Sequence, residues 1–69
     1  MRYTITATKL TAVLELVNME QPDVTADQLC DFICADWTEG DAHQDWLDTA
    51  SPREIADWAL SCHAAGEEW

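Results

Sequence analysis

The side chains best suited to chemistry in this chain are three thiols and two imidazoles. Cys30 and Cys34 stand four residues apart, and Cys62 and His63 are adjacent near the end of the sequence. Thiolates and imidazoles are zinc ligands, and Cys30, Cys34 and either Cys62 or His63 are a conceivable set. The paired C-x-x-C spacing of zinc knuckles is missing, so buried structural thiols are the expected state, a free cysteine packing as a small hydrophobe. The segment "DWTEGDAHQDW" has the look of a calcium loop, but an EF-hand needs oxygen ligands at positions 1, 3 and 5 and glycine at 6. Counted from Asp36, glycine falls at position 5 and Asp41 at 6. His43 lies among Asp41 and Asp45 and reads as a solvent-facing residue. With two glycines in the chain, a glycine-rich phosphate cradle is implausible, and no nucleophile motif is present. The expectation is no enzyme, no cofactor and no metal.

The chemistry left is electrostatic. Fourteen acidic residues face three basic ones, a formal net charge of −11. Small domains are comfortable at magnitudes of about 2–8, and self-repulsion beyond that lowers stability. The imbalance is concentrated. Between Leu10 and Pro52 there is no Lys or Arg, while Glu15, Glu20, Asp23, Asp27, Asp31, Asp36, Glu39, Asp41, Asp45 and Asp48 are acidic. Such a surface does not bind nucleic acid or an anionic membrane directly, since both require basic residues. It favours a basic partner.

Carboxylates three or four positions apart on a helix are neighbours and repel by a few tenths of a kcal/mol per pair. Asp23, Asp27 and Asp31 have that spacing, as do Asp41, Asp45 and Asp48, and Glu54 and Asp57. A helical turn rises about 5.4 Å, roughly the pitch of successive phosphates. Rows of carboxylates at that pitch form an acidic surface able to occupy a groove built for phosphates, with counterion release from the partner driving association. The expected partner-binding residues are Asp23, Asp27, Asp31, Asp36, Glu39, Asp41, Asp45 and Asp48. Two plainer readings stand beside this one. One is an adaptor or antitoxin-like module that recognises a basic protein through an apolar patch with an acidic rim. The other is a solvated acidic domain of a salt-adapted organism.

Helices must position these rows. At 69 residues, with 48% apolar residues, the chain is expected to form one domain over 1–69. It buries about 60% of the surface its unfolded form exposes. The apolar content argues against disorder. Residues 3–8, "YTITAT", have strand-like composition and are read as an extended segment, a dimer-pairing strand or part of the first helix. Helix 1 is expected over 9–20, capped by Thr8, with Leu10, Val13, Leu14 and Val17 inward. Helix 2 is expected over 26–37, with a Thr25/Gln28 capping box and Leu29, Phe32, Ile33 and Trp37 inward. Helix 3 is expected over 42–49, capped by Asp41, with Ala42, Trp46 and Ala50 as its stripe and Leu47 beside them. Helix 4 is expected over 52–64, with Ser51 as N-cap, Pro52 in the first turn and Glu54 closing the box. Its inward residues are Ile55, Trp58, Ala59 and Cys62, and Gly66 stops it. Trp37, Trp46 and Trp58 should meet in one core, leaving Trp69 either to tuck back or to serve as an exposed aromatic anchor.

The fold class is therefore all-α, a small bundle of three to four short helices with a short N-terminal extended segment, monomeric or dimeric. No stretch approaches the about 20 apolar residues that span a bilayer, and the start carries no signal-peptide pattern, so the expected compartment is the cytoplasm. In size, net charge and helical pattern the chain resembles the small acidic inhibitors made by phages, which include anti-CRISPR proteins and other DNA mimics. The resemblance covers the whole chain and is one of class. Stretches such as "HQDWLDTASPREIADW" carry over no functional residue. It implies a non-enzymatic inhibitor that blocks target-DNA binding by a CRISPR effector or similar nucleic-acid-binding protein in the host cytoplasm.

Overall fold

Helix signals along the chain materialise as four helices in the computed structural model, which describes residues 3–35, 40–66 and 69. They are α1 (Ala7–Asn18), α2 (Ala26–Ile33), α3 (Asp41–Thr49) and α4 (Pro52–Ala64). Among the described residues there is no strand, and the architecture is a small all-α bundle. α1 packs along α4 and, less extensively, against α2.

Two helices start as the sequence chemistry dictates. The Thr25 hydroxyl accepts the Gln28 amide at 3.2 Å, and the Gln28 side chain accepts the Thr25 amide at 3.0 Å. Ser51 and Glu54 repeat the arrangement at 3.2 and 3.4 Å, with Pro52 in the first turn. Each box satisfies two amides that would otherwise lack a helical partner. α4 ends at Ala64, followed by Gly66 at φ 110°, a backbone conformation natural to glycine.

Of the readings open for residues 3–8, the structure takes two, an extended arm followed by the start of the first helix. Ala7 and Thr8 belong to α1, whose cap is Thr6, not Thr8: the Thr6 hydroxyl accepts the Lys9 amide at 3.2 Å. Tyr3–Thr6 is an extended arm. Gln44 on α3 supplies what a neighbouring strand would have supplied, its Oε1 accepting the Thr4 amide at 2.9 Å and its Nε2 donating to the Thr4 carbonyl at 3.1 Å. Behind it Tyr3 is buried, and its hydroxyl accepts the Gly40 amide at 3.1 Å.

α1 ends at Asn18, two residues short of expectation, because the Asn18 side chain turns to the loop and donates to the Gln21 and Val24 carbonyls at 2.9 and 3.0 Å. α2 ends at Ile33, four residues before its expected end at Trp37. In a longer helix the Ile33 carbonyl would accept the amide of residue 37. Here it meets His43 Nε2 at 3.0 Å; since a carbonyl only accepts, Nε2 is the donor. α3 is capped by Gly40, not Asp41. Gly40 sits at φ 62° and ψ −130°, a region essentially confined to glycine, and Asp41 occupies the first turn, where its charge suits the helix dipole.

The core is aliphatic. Val13, Val17, Leu29, Ile33, Leu47 and Ile55 are fully buried, with Phe32, Ala56 and Ala59 around them. Leu10, Leu14 and Cys62 pack against it partly buried. The expected tryptophan core is not its centre. Trp46 and Trp58 meet at 5.3 Å and 70°, half-buried on its flank; Trp37 lies outside the described residues. Trp69 tucks back, stacking on His63 at 4.6 Å and meeting Phe32 at 5.1 Å, so it is not an exposed anchor.

Candidate functional site: the acidic helix faces and the aromatic corner of α3

α3 carries the densest of the acidic rows. Asp41, Asp45 and Asp48 all fall within it and all are exposed. Asp45 stands free of any ion pair with the described cations, while Asp48 Oδ1 accepts from Gln44 Nε2 at 2.9 Å. On α2 the row is shorter than expected. Asp27 and Asp31 are exposed one turn apart, but Asp23 precedes the Thr25 cap and lies in the loop, also exposed. Asp36 and Glu39 lie outside the described residues. On α4 the acids are spent locally: Glu54 closes the capping box, and Asp57 pairs with Arg53 at 3.6 Å, both side chains well exposed. Such an exposed pair contributes little.

Space supplies a cation that the sequence places elsewhere. The stretch from 10 to 52 is free of lysine, yet Lys9 reaches across from α1 to the end of α3. Its Nζ donates to the Leu47 carbonyl at 2.7 Å and the Asp48 carbonyl at 3.2 Å. There it meets two carbonyls without helical partners and the negative end of the helix dipole. The carboxylate row is thus neutralised in part at its Asp48 end, while Asp41 and Asp45 have no ion pair with the described cations.

The opposite face of α3 corrects the expected pattern. His43, read as solvent-facing, is 5% exposed, and Ala42, read as inward, is exposed. The inward series is His43, Leu47 and Ala50. Burying an imidazole costs little when its polar atoms are paired, and His43 bonds to Ile33 while its ring meets Tyr3 edge-on at 4.6 Å. Hydropathy ranks histidine with the polar residues and so hides its place, whereas its i, i+4 spacing to Leu47 puts it on the inward face. Its other flank faces Trp46 and Trp58, at 5.9 and 5.3 Å. Ala42, His43, Trp46 and Trp58 line an open cavity of about 170 Å³.

The thiols are placed as packing residues. Cys34 is 1% exposed, and burial, then the neighbouring Cys30, push its thiol from an ordinary 9.0 up to about 11. A thiol held protonated is a poor nucleophile and metal ligand. Among the described residues no three His, Cys, Asp or Glu side chains are grouped to hold a metal ion. A groove of about 300 Å³ between α1 and α4 has Leu16, Met19, Ala56 and Leu60 along it and Glu20, Asp57 and Arg53 around it. Met19 is 77% exposed.

Fold and site together define a small acidic all-α bundle with its described carboxylates exposed. No helix among the described residues is long and apolar enough to cross a membrane. Comparison with protein-family models, curated proteins and solved structures finds no match.

Proposed function

We propose that this protein is a non-enzymatic inhibitor that binds the basic groove of a nucleic-acid-binding protein by imitating the charge of a phosphate backbone. The observation that carries the proposal is the exposed Asp41–Asp45–Asp48 row on α3, together with exposed Asp27 and Asp31 on α2, in a chain of net charge −11. A fold selected for stability alone would interleave lysines there. The class of small acidic phage inhibitors, anti-CRISPR proteins included, fits this reading, with a CRISPR effector as one candidate partner.

The test is capture of host proteins on the tagged protein, followed by challenge with duplex DNA. A nucleic-acid-binding protein released by DNA is the expected result. The double reversal of Asp45 and Asp48 to lysine should weaken that capture at least tenfold with the helical content unchanged. Undiminished capture by the reversed protein would remove charge mimicry.

A second reading has its own observation. The α1–α4 groove, apolar along Leu16, Met19 and Leu60 and rimmed by Glu20 and Asp57, fits an adaptor that binds an amphipathic basic segment. Ionic strength separates the two. Exposed charges are screened beyond about 8 Å at physiological salt, so mimicry weakens steeply as salt rises, whereas an apolar groove holds its partner.

A further inference from the structure

The cavity beside α3 has walls that the acidic rows do not explain. It is lined by three aromatic rings and one methyl group: His43, Trp46, Trp58 and Ala42. Trp46 and Trp58 stand at 70° to each other with centroids 5.3 Å apart, so the space between them is a corner bounded by ring faces. His43 closes the inner side, 5.3 Å from Trp58 and 5.9 Å from Trp46. It is fixed there by its bond to the Ile33 carbonyl. The wall is therefore preorganised: it is built on two helices, and its deepest ring is held by the end of a third.

Aromatic faces carry negative quadrupole potential and attract cations within about 6 Å of the ring centroid, tryptophan most strongly. An open corner of about 170 Å³ suits one planar cationic head. The surroundings select for charge as well. Asp45 is exposed three positions beyond Ala42, and Asp41 is exposed one position before it. Among cationic side chains, guanidinium is planar, weakly hydrated and stacks on aromatic faces, whereas ammonium is compact and strongly hydrated. We propose that this corner is an arginine-binding site: it receives the guanidinium of an arginine side chain from a basic partner, in contact with the rings of Trp46 and Trp58, with exposed Asp41 and Asp45 on the same helix as Trp46.

The proposal takes its partner from the charge-mimicry reading but not its chemistry, and the two separate experimentally. A nucleic-acid-binding groove presents arginines to phosphates. An acidic row replaces the phosphates, and an aromatic corner gives one arginine a partner that DNA backbone lacks. Mimicry would thus acquire an anchor, since tryptophan and arginine are the residues most often central to an interface.

The experiment is an NMR titration of the intact protein with two capped tripeptides, Gly-Arg-Gly and Gly-citrulline-Gly. Citrulline matches arginine in shape and lacks its charge. The indole N–H signals of Trp46 and Trp58 are the readout. The arginine peptide should shift both saturably, and the citrulline peptide should bind at least about fivefold more weakly. Trp46→Leu, which keeps an apolar side chain and removes the ring, should weaken arginine binding about 3- to 30-fold. Ala42→Leu places a larger side chain at the mouth from an exposed position and should act in the same direction. It leaves all three rings in place and, leucine being nearly as good a helix former as alanine, keeps the helix, so it serves if Trp46→Leu fails to fold. Equal binding of the two peptides would overturn the proposal, as would shifts that bypass both indoles and ignore both variants. Arginine binding that persists while DNA fails to release any captured partner removes mimicry and leaves the site. DNA-sensitive capture without arginine binding removes the site alone.

Discussion

Lys9 joins stability to the surface charge on which the proposed binding rests, and Lys9→Met separates them. Its ammonium bridges the carbonyls of Leu47 and Asp48 at 2.7 and 3.2 Å, at the end of α3 where carbonyls lack helical partners. Methionine keeps most of the aliphatic stem and removes the donors. A cation at a helix C-terminus contributes about 0.3–1 kcal/mol, and hydrogen bonds from a charged group contribute about 1.5–3 kcal/mol when fully counted. The Asp48 contact is exposed and the Leu47 contact only partly buried, so water replaces much of the second figure, and the expected loss is about 1–2 kcal/mol. At about 4–8 °C per kcal/mol for a domain of this size, Tm should fall by roughly 4–16 °C. In urea the midpoint should drop with the slope unchanged. Binding should move the other way. The variant carries a net charge of −12, one below the −11 of the native chain. In water, one unit charge about 10 Å from a partner cation is worth about 0.4 kcal/mol, or about a twofold gain in affinity. A less stable protein that binds the proposed basic partner more tightly is the signature. Unchanged Tm would refute the account of α3 termination, and affinity that falls in proportion to the unfolded fraction would refute the contribution of surface charge.

Three further predictions rest on particular contacts. At pH 8 a thiol with a pKa of about 11 is roughly one-thousandth ionised, against about one-tenth for an ordinary 9.0, so Cys34 should alkylate about a hundredfold more slowly in the folded protein than after denaturation; mass spectrometry of the labelled peptides measures this. Between pH 9 and 11 the unfolded thiol loses its proton while the folded one keeps it, so stability should fall as pH rises through that window, and Cys34→Ala should flatten the slope. Ser51→Ala removes the hydroxyl that accepts the Glu54 amide at 3.2 Å and should cost about 1 kcal/mol in urea denaturation, whereas Ser51→Asp, which restores the acceptor, should recover most of it.

Local signals were legible where a short-range contact decides the outcome. The Thr25/Gln28 and Ser51/Glu54 boxes each lie within four residues, and the starts of α2 and α4 fall where those residues place them. Much of the inward series of α1, α2 and α4 followed from spacing, with Val13, Val17, Leu29, Phe32, Ile33, Ile55 and Ala59 buried and Leu10, Leu14, Trp58 and Cys62 partly so. The exposed carboxylates followed as well, because an unpaired charge is too costly to bury.

What the sequence by itself determined was therefore the helical class, the capped starts of two helices, several of the buried aliphatic positions and the acidic exterior, all set by contacts within a turn or two or by the cost of burying charge. The tertiary structure decided the rest. It ended α2 at Ile33 by bringing a histidine ten residues onward to the free carbonyl. It turned a strand-like arm into a partner for Gln44, carried Lys9 to the far end of an acidic helix, and set Trp46 against Trp58 as an open corner. Each of these joins residues with no fixed relation along the chain. Hydropathy and periodicity describe one helix at a time, and the pairing of groups between helices is fixed only when the helices pack.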